Sequence, residues 1–346
     1  MVANTRERSV ARRWSWSDLV RFLRFEYLPF ALTLPLIGAA SVSAQLTLLQ
    51  MIGLLGVAAA LHVFISIEND IIDLPLDRTH PERANYPLVK GTIRPGQALA
   101  IALIQIPIAL ALTLLLGGKL WAYAAIGLSV AIMTIYNVWG KRAPFPPLTD
   151  MVQGIGFGVI SLYGAAAIGD MTPLTFVVFV SVVAWMMLTN LFGGLRDLAS
   201  DFDHGARTTP IQFGARPAGD SQTHPRSMQV YAYLWSWAMI GLALLALILN
   251  PFGYAPVARL IVTAAIVLLG LVSLRLLAAF FEAAFCYPTM IAVGRLQMLS
   301  SSTAILVLFG PRLDVGFLIV LVIVFALGMW GYDARPALRF LRRRIA

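Results

Sequence analysis

The sequence is poor in charge and nearly without cysteine. Only 12% of its 346 residues are charged and 59% are hydrophobic, whereas a soluble domain carries charge on about a quarter of its residues. That balance, with a mean hydropathy of +0.79, excludes an ordinary soluble domain and points to a chain that crosses a membrane several times. The lone cysteine, Cys286, excludes an internal disulfide or a cysteine-based metal cage and reads as a small buried apolar residue. Acids number only 17 against 26 Lys and Arg, giving a net charge of +9. Such a surplus would suit nucleic acid, but the arginines sit between apolar blocks and at the termini, where they report topology. Nucleic acid is not expected as a partner. No cleavable signal peptide is visible, because the first apolar stretch begins near Tyr27, behind Arg6, Arg8, Arg12, Arg13, Arg21 and Arg24.

Long apolar runs are what the chain does have. A bilayer core of about 30 Å needs about 20 apolar residues in a helix, and ten blocks qualify as spans: 27–45, 47–67, 97–117, 120–139, 150–169, 172–193, 228–249, 256–274, 293–310 and 315–332. The even connections carry the cations: Arg78, Arg83, Lys90 and Arg94 in 68–96, Lys141 and Arg142 in 140–149, Arg196, Arg207, Arg216 and Arg226 in 194–227, and Arg275 in 275–292. The odd connections are short and nearly neutral. The positive-inside rule therefore places both termini and the charged loops in the cytoplasm. The expected fold is all-α: a polytopic bundle of nine to ten transmembrane helices around a central cavity, capped by cytoplasmic loops. A basic segment (1–26) and a basic tail (334–346) flank one membrane domain (27–333).

The scarce acids are concentrated in two places. Glu68, Asp70, Asp73, Asp77 and Glu82 follow the second span, and Asp197, Asp201 and Asp203 follow the sixth, together eight of the 17. Asn69, Asp70, Asp73 and Asp77 form N-D-x-x-D-x-x-x-D, a spacing that on an α-helix sets the three carboxylates within about 60° of one another. Pro75 lacks an amide hydrogen, so a break is expected before Asp77. Asp197 and Asp201, four apart, share a face likewise. Carboxylates so close repel unless a cation joins them, and Mg²⁺ suits oxygen ligands drawn from one or two carboxylates plus a substrate phosphate. Single acids such as Glu68, Glu82 or Asp203 read more simply as solvated loop residues. Paired acids at two membrane-helix ends read as functional.

The two motifs, one after the second span and one after the sixth, resemble the paired signatures of the UbiA superfamily of intramembrane prenyltransferases, over roughly residues 20–310. The resemblance implies Mg²⁺ held by Asn69, Asp70, Asp73, Asp77, Asp197 and Asp201, gripping the diphosphate of an isoprenoid donor. "NYPLVKG" is similar to the family's Arg-Pro-Leu-x-x-Gly segment but has Tyr86 where Arg is common, so Arg83, Lys90 or Arg94 is the substitute cation. "IYNVWGKRAP" resembles the family's Tyr and Lys one turn apart, with Tyr136 and Lys141 five residues apart, leaving Lys141 or Arg142 to meet phosphate. "HGARTTP" supplies Arg207.

The chemistry implied is ionisation of an allylic diphosphate. Asp70, Asp73, Asp197, Asp201 and Lys141 would carry it, helped by Arg142 and Arg207, by neutralising charge on the departing oxygen. His62 and Asn190, each about two turns before a motif, are candidates to line the pocket for a hydrophobic or aromatic acceptor. A lone membrane histidine is nonetheless more often a satisfied packing residue. Two other readings compete: a cyclase of the same fold acting on the donor alone, and an ion-coupled transporter. The transporter reading predicts carboxylates near the bilayer midplane, whereas here they fall at helix ends.

Overall fold

The computed structural model describes residues 14–79, 83–140, 142–219, 221–249, 253–282, 287–328 and 335–345. Lys141, Glu82 and Cys286, singled out above, lie outside them.

Helices begin where the sequence supplies caps. Ser15 caps α1 (Trp16–Phe22) in a reciprocal box with Asp18. Thr47 and Gln50 do the same for α3 (Leu48–Ile72), and Thr172 and Thr175 for α8 (Pro173–Arg196). Between these lie α2 (Leu28–Ala40), α4 (Leu74–Asp77), α5 (Pro95–Leu115), α6 (Leu120–Trp139) and α7 (Pro146–Ile168). Beyond them come α9 (Leu198–Asp203), α10 (Thr209–Gln212), a two-residue hairpin of β1 (Pro217–Ala218) and β2 (Ser221–Gln222), then α11 (Arg226–Leu249), α12 (Pro256–Glu282), α13 (Tyr287–Val307), α14 (Val315–Leu327) and α15 (Arg335–Ile345).

Eight of these helices are long and apolar enough to cross a membrane. The chain is a multi-pass integral membrane protein with an all-α fold. Each predicted span has its helix, but the first and last, α2 and α14, have only 13 residues each, about 20 Å of helix. Two boundaries differ from expectation. The predicted charged connection 275–292 is largely helical, because α12 runs on through exposed Arg275 to Glu282 and α13 starts at Tyr287. An apolar face continues through that stretch, and a long arginine stem can lie along it with its head outward. The basic segment before residue 27 also contains α1, which buries Phe22 to 1% exposure.

Neighbours in the bundle pack in the order α14, α2, α3, α5 on one side, and α2, α7, α8, α11 on the other, with α6 on α7 and α12–α13 beyond α11. The α2–α7 crossing is the tightest. A methyl group on Gly164 would lie 2.0 Å from the carbonyl oxygen of Pro35, and one on Gly38 would lie 1.8 Å from that of Ser161. Only glycine lets these two backbones touch, as is common where helices pack without water to drive them together.

Candidate active site

Both acidic motifs sit at helix breaks. α3 ends at Ile72, Asp73 is the joint, and α4 carries Pro75 in its first turn and Asp77 at its end. The break thus comes one turn earlier than Pro75 alone requires, while Asp73 still donates its amide to the Asn69 carbonyl at 2.9 Å. The second motif repeats the design: Asp197 is the joint between α8 and α9, and Asp201 lies on α9. Asp70 and Asp77 are buried, at 4% and 7% exposure, and border a small pocket with Phe22, Tyr86 and Pro87. Asp73, Asp197 and Asp201 are half-buried.

An unanticipated segment joins the motifs. Leu23 to Tyr27 forms the turn between α1 and α2, and Arg24 in it is the sole non-glycine with positive φ (45°) among the described residues. That conformation costs on the order of 1 kcal/mol. It aims the Arg24 guanidinium at Asp70, with which it forms an ion pair, and at Asn69 Oδ1, 3.2 Å away. Burial alone would lower the arginine's pKa, but Asp70 more than reverses this and the net shift is upward. Three residues on, the Tyr27 hydroxyl accepts a bond from Arg196 Nη1 at 3.3 Å. Arg196 in turn clasps Asp197 through both of its carboxylate oxygens, at 2.8 and 2.6 Å. The two motifs therefore stand at the same end of the bundle, spanned by four residues of chain.

The remaining sequence candidates fall into three groups. Some gather around the first motif. Asn137 donates to Glu68 Oε2 at 2.8 Å and accepts from Asn69 at 3.4 Å, and Thr134 donates to Glu68 Oε1 at 2.8 Å. Glu68, read as a solvated acid, is thus a structural ligand that fixes the end of α6. Tyr136 is half-buried on α6, next to Asn137. Arg83 stacks over Tyr86, 4.7 Å from the ring centre, with its Nε 4.0 Å from Asp77. Burial raises the Tyr86 phenol's pKa, and Arg83 partly counters this.

Others serve architecture. His62 donates Nε2–H to the carbonyl oxygens of Leu23 and Arg24, at 3.1 and 3.2 Å, so it holds the strained turn in place. Lys90 is bonded to Asp18 at 3.0 Å and anchors α1. Bonds from Ser15, then Lys90, pull the Asp18 carboxyl down to about 2. Arg142 and Arg207 are exposed at the same end, and Asn190 keeps a buried amide nitrogen without a hydrogen-bond partner.

Among the described residues no three His, Cys, Asp or Glu side chains lie together as a closed metal cage. The donor set still fits Mg²⁺: it is all oxygen, it is split between two helix ends at one end of the bundle, and Mg²⁺ completes its octahedron with phosphate and water rather than with protein alone. Arg24 and Arg196 balance the charge of Asp70 and Asp197. Sequence reasoning missed both arginines and Tyr27. Arg24 lies in a run read as topological, and nothing in a sequence marks a left-handed residue other than glycine.

Comparison with known proteins agrees with this geometry. The digeranylgeranylglyceryl phosphate synthase of Thermococcus gammatolerans is 30% identical over 151 residues, 43% of this chain and 52% of that protein. The 4-hydroxybenzoate octaprenyltransferase of Alkalilimnicola ehrlichii is 24% identical over 59% of this chain and 68% of its own. The chain thus spans about half the length of the synthase it matches. A UbiA homolog from Archaeoglobus fulgidus bound to GPP and Mg²⁺ shares the fold, with a TM-score of 0.63 at 17% identity over 85% of this chain and 98% of that one. Residues 27–287 match the UbiA prenyltransferase family, and with that match, the fold and the paired motifs in agreement, the chain belongs to the UbiA prenyltransferase family.

Proposed function

We propose that the protein is an intramembrane prenyltransferase that moves an isoprenyl group from an allylic isoprenyl diphosphate to an aromatic or lipid-like acceptor, dependent on Mg²⁺. The observation that carries this reading is the link from Asp70 through Arg24 and Tyr27 to Arg196 and Asp197, which gathers both acidic motifs at one end of a membrane bundle. A diphosphate head needs charged ligands at the polar boundary, and its hydrocarbon tail needs apolar helices below them. Relatives named for prenyl transfer, and a structural neighbour bound to GPP and Mg²⁺, support it.

Asn69, Asp70, Asp73, Asp77, Asp197 and Asp201 are the residues that would hold the metal. Bound there, Mg²⁺ supplies Lewis-acid neutralisation of the diphosphate as it leaves. The chain's own part is to orient and to shield. Arg83 near Asp77, with Arg142 and Arg207 from the loops at that end, and Lys141 by its place in the sequence, would meet phosphate oxygens and stabilise the charge that builds as the C–O bond breaks. Tyr136, Phe64 and Phe192, near the ends of their helices, would be the rings to steady a passing allylic cation, each worth about 0.5–2 kcal/mol. The α1–α2 turn, pinned by His62 and by Lys90 through Asp18, covers the first motif and keeps water from it. Placement of the diphosphate site on the cytoplasmic side follows from the cations of the even connections.

The carboxylates sit at helix ends, which argues against a midplane ion path, and the relatives are transferases, which argues against the cyclase. Mass spectrometry of products from a matrix of donors and acceptors tests the proposal. A prenylated product that disappears on chelation supports it, and turnover indifferent to chelator overturns the metal assignment.

A further inference from the structure

The last helix is the most strongly charged among the described residues, and the diphosphate site does not use it. α15, with the sequence RPALRFLRRRI, has arginine at 335, 339, 342, 343 and 344 and no acid. At about 100° per residue, positions 335, 339, 342 and 343 share an arc of about 100°. Positions 337, 338, 340, 341 and 345, all apolar, fall on the other side of the axis, where Arg344 is the one cation among them.

The place of α15 follows from its neighbours. α14 begins where the Asp314 amide donates to the Ala44 carbonyl, 2.9 Å away and just past the end of α2. It finishes with Gly328 beside Pro29, where an added methyl group would lie 3.6 Å from the proline Cβ. α14 thus runs antiparallel to α2 and returns the chain to the end where Tyr27 and both acidic motifs stand. Seven residues reach at most about 25 Å, so α15 starts within that distance of Gly328. Five arginines do not stay in hydrocarbon, which puts the helix at the polar boundary of the bilayer. It is seated on α13, with Ala337 fully buried and Phe340 against the core. Leu338 beside that seat keeps 48% exposure, and Arg339 is exposed.

We propose that α15 is a lipid-binding helix whose arginine arc takes the phosphates of anionic phospholipids in the leaflet at the site end, while Leu338 enters their acyl chains. Charge complementarity selects this occupant. The leaflet is a phosphate surface beside which the helix is already tethered, and a guanidinium meets phosphate oxygens through paired N–H bonds. A basic arc set against an apolar one is the pattern of helices that lie in the plane of the membrane interface. The inference stands apart from the prenyl-transfer reading, because it uses none of the site residues.

The test reads hydrogen exchange over residues 335–345 of the full chain in phosphatidylcholine nanodiscs, with phosphatidylglycerol added in steps. Wild-type exchange should slow as phosphatidylglycerol rises, and added salt should reverse the slowing by screening charge. Arg339→Gln alone, which leaves the apolar seat intact, should weaken the response about fivefold, the worth of one cation near an anionic surface. Combined with Arg342→Gln and Arg343→Gln, the loss should reach about 100-fold. Arg339→Lys, Arg342→Lys and Arg343→Lys together keep the charge and should keep most of the slowing. Exchange in pure phosphatidylcholine shows for each variant whether the helix is still formed. Wild-type exchange indifferent to phosphatidylglycerol overturns the inference, and so does an equal response in the glutamine variants. Loss of the response in the lysine variant overturns the assignment to charge. Equal slowing by inorganic diphosphate in pure phosphatidylcholine also overturns it, by giving the arginines to a soluble phosphate.

Discussion

Arg196 reaches across 169 residues of sequence to donate a hydrogen bond to the Tyr27 hydroxyl at 3.3 Å. Because Arg196 also grips Asp197, and Arg24 lies three residues from Tyr27 on Asp70, this contact makes one site of two distant motifs. Four expectations follow from how that site is assembled.

Asp70→Asn and Asp197→Asn each remove a negative charge while keeping side-chain volume. Diphosphate release should fall by about 10³-fold, the scale of losing a main electrostatic contributor; Asp197→Asn, whose pair with Arg196 is half-exposed, should keep its unfolding midpoint, while Asp70→Asn also leaves Arg24 without its partner and should lower it. Retained turnover in both variants would remove these residues from the metal site.

Arg24→Gln leaves the carboxylate of Asp70 buried without its partner, a loss of about 3–5 kcal/mol for a buried pair. The metal-free variant should unfold at lower temperature than the wild type, and Mg²⁺ should recover more of the midpoint in the variant than in the wild type. Equal Mg²⁺ shifts in both proteins would mean that Asp70 does not meet the ion.

The α1 anchor has a predictable pH dependence. Asp18 is held down to about 2 by Ser15 and Lys90, so its carboxylate binds protons less readily folded than unfolded. The contribution is complete above its unfolded value of about 3.9 and is lost as pH falls through about 2. Hydrogen exchange over residues 15–22 should stay slow to about pH 4 and quicken below it. In Lys90→Met, quickening should already be seen at pH 7.

Gly164→Ala puts a methyl group 2.0 Å from the Pro35 carbonyl oxygen, a backbone atom that cannot swing aside. Separation of α2 from α7 should cost about 1–3 kcal/mol, read as a lowered unfolding midpoint. Gly193→Ala is the control, since nothing lies within 4 Å of the added carbon.

Much of this protein was legible from its residues. Runs of about 20 apolar residues leave a chain no option but to satisfy its backbone within helices that cross the bilayer, and carboxylates at positions 70, 73, 77, 197 and 201 announce a divalent ion because like charges at those spacings otherwise repel. Caps such as Thr47 and Thr172 mark helix starts by local bonding alone. What the sequence could not say was which partners those groups would find. His62 read as a pocket candidate or, more simply, a packing residue, and it is the clasp of a turn, because the carbonyls of Leu23 and Arg24 arrive beside it only after folding. Glu68 looked solvated and became the ligand of Thr134 and Asn137. Local pattern fixes the period of the helices and the charge at their ends, since both depend on near neighbours. Contacts such as Arg24 to Asp70, Arg196 to Tyr27 and Thr209 to Asp150 depend on how helices cross, and that was decided by tertiary packing, where glycines at 38 and 164 let two backbones meet.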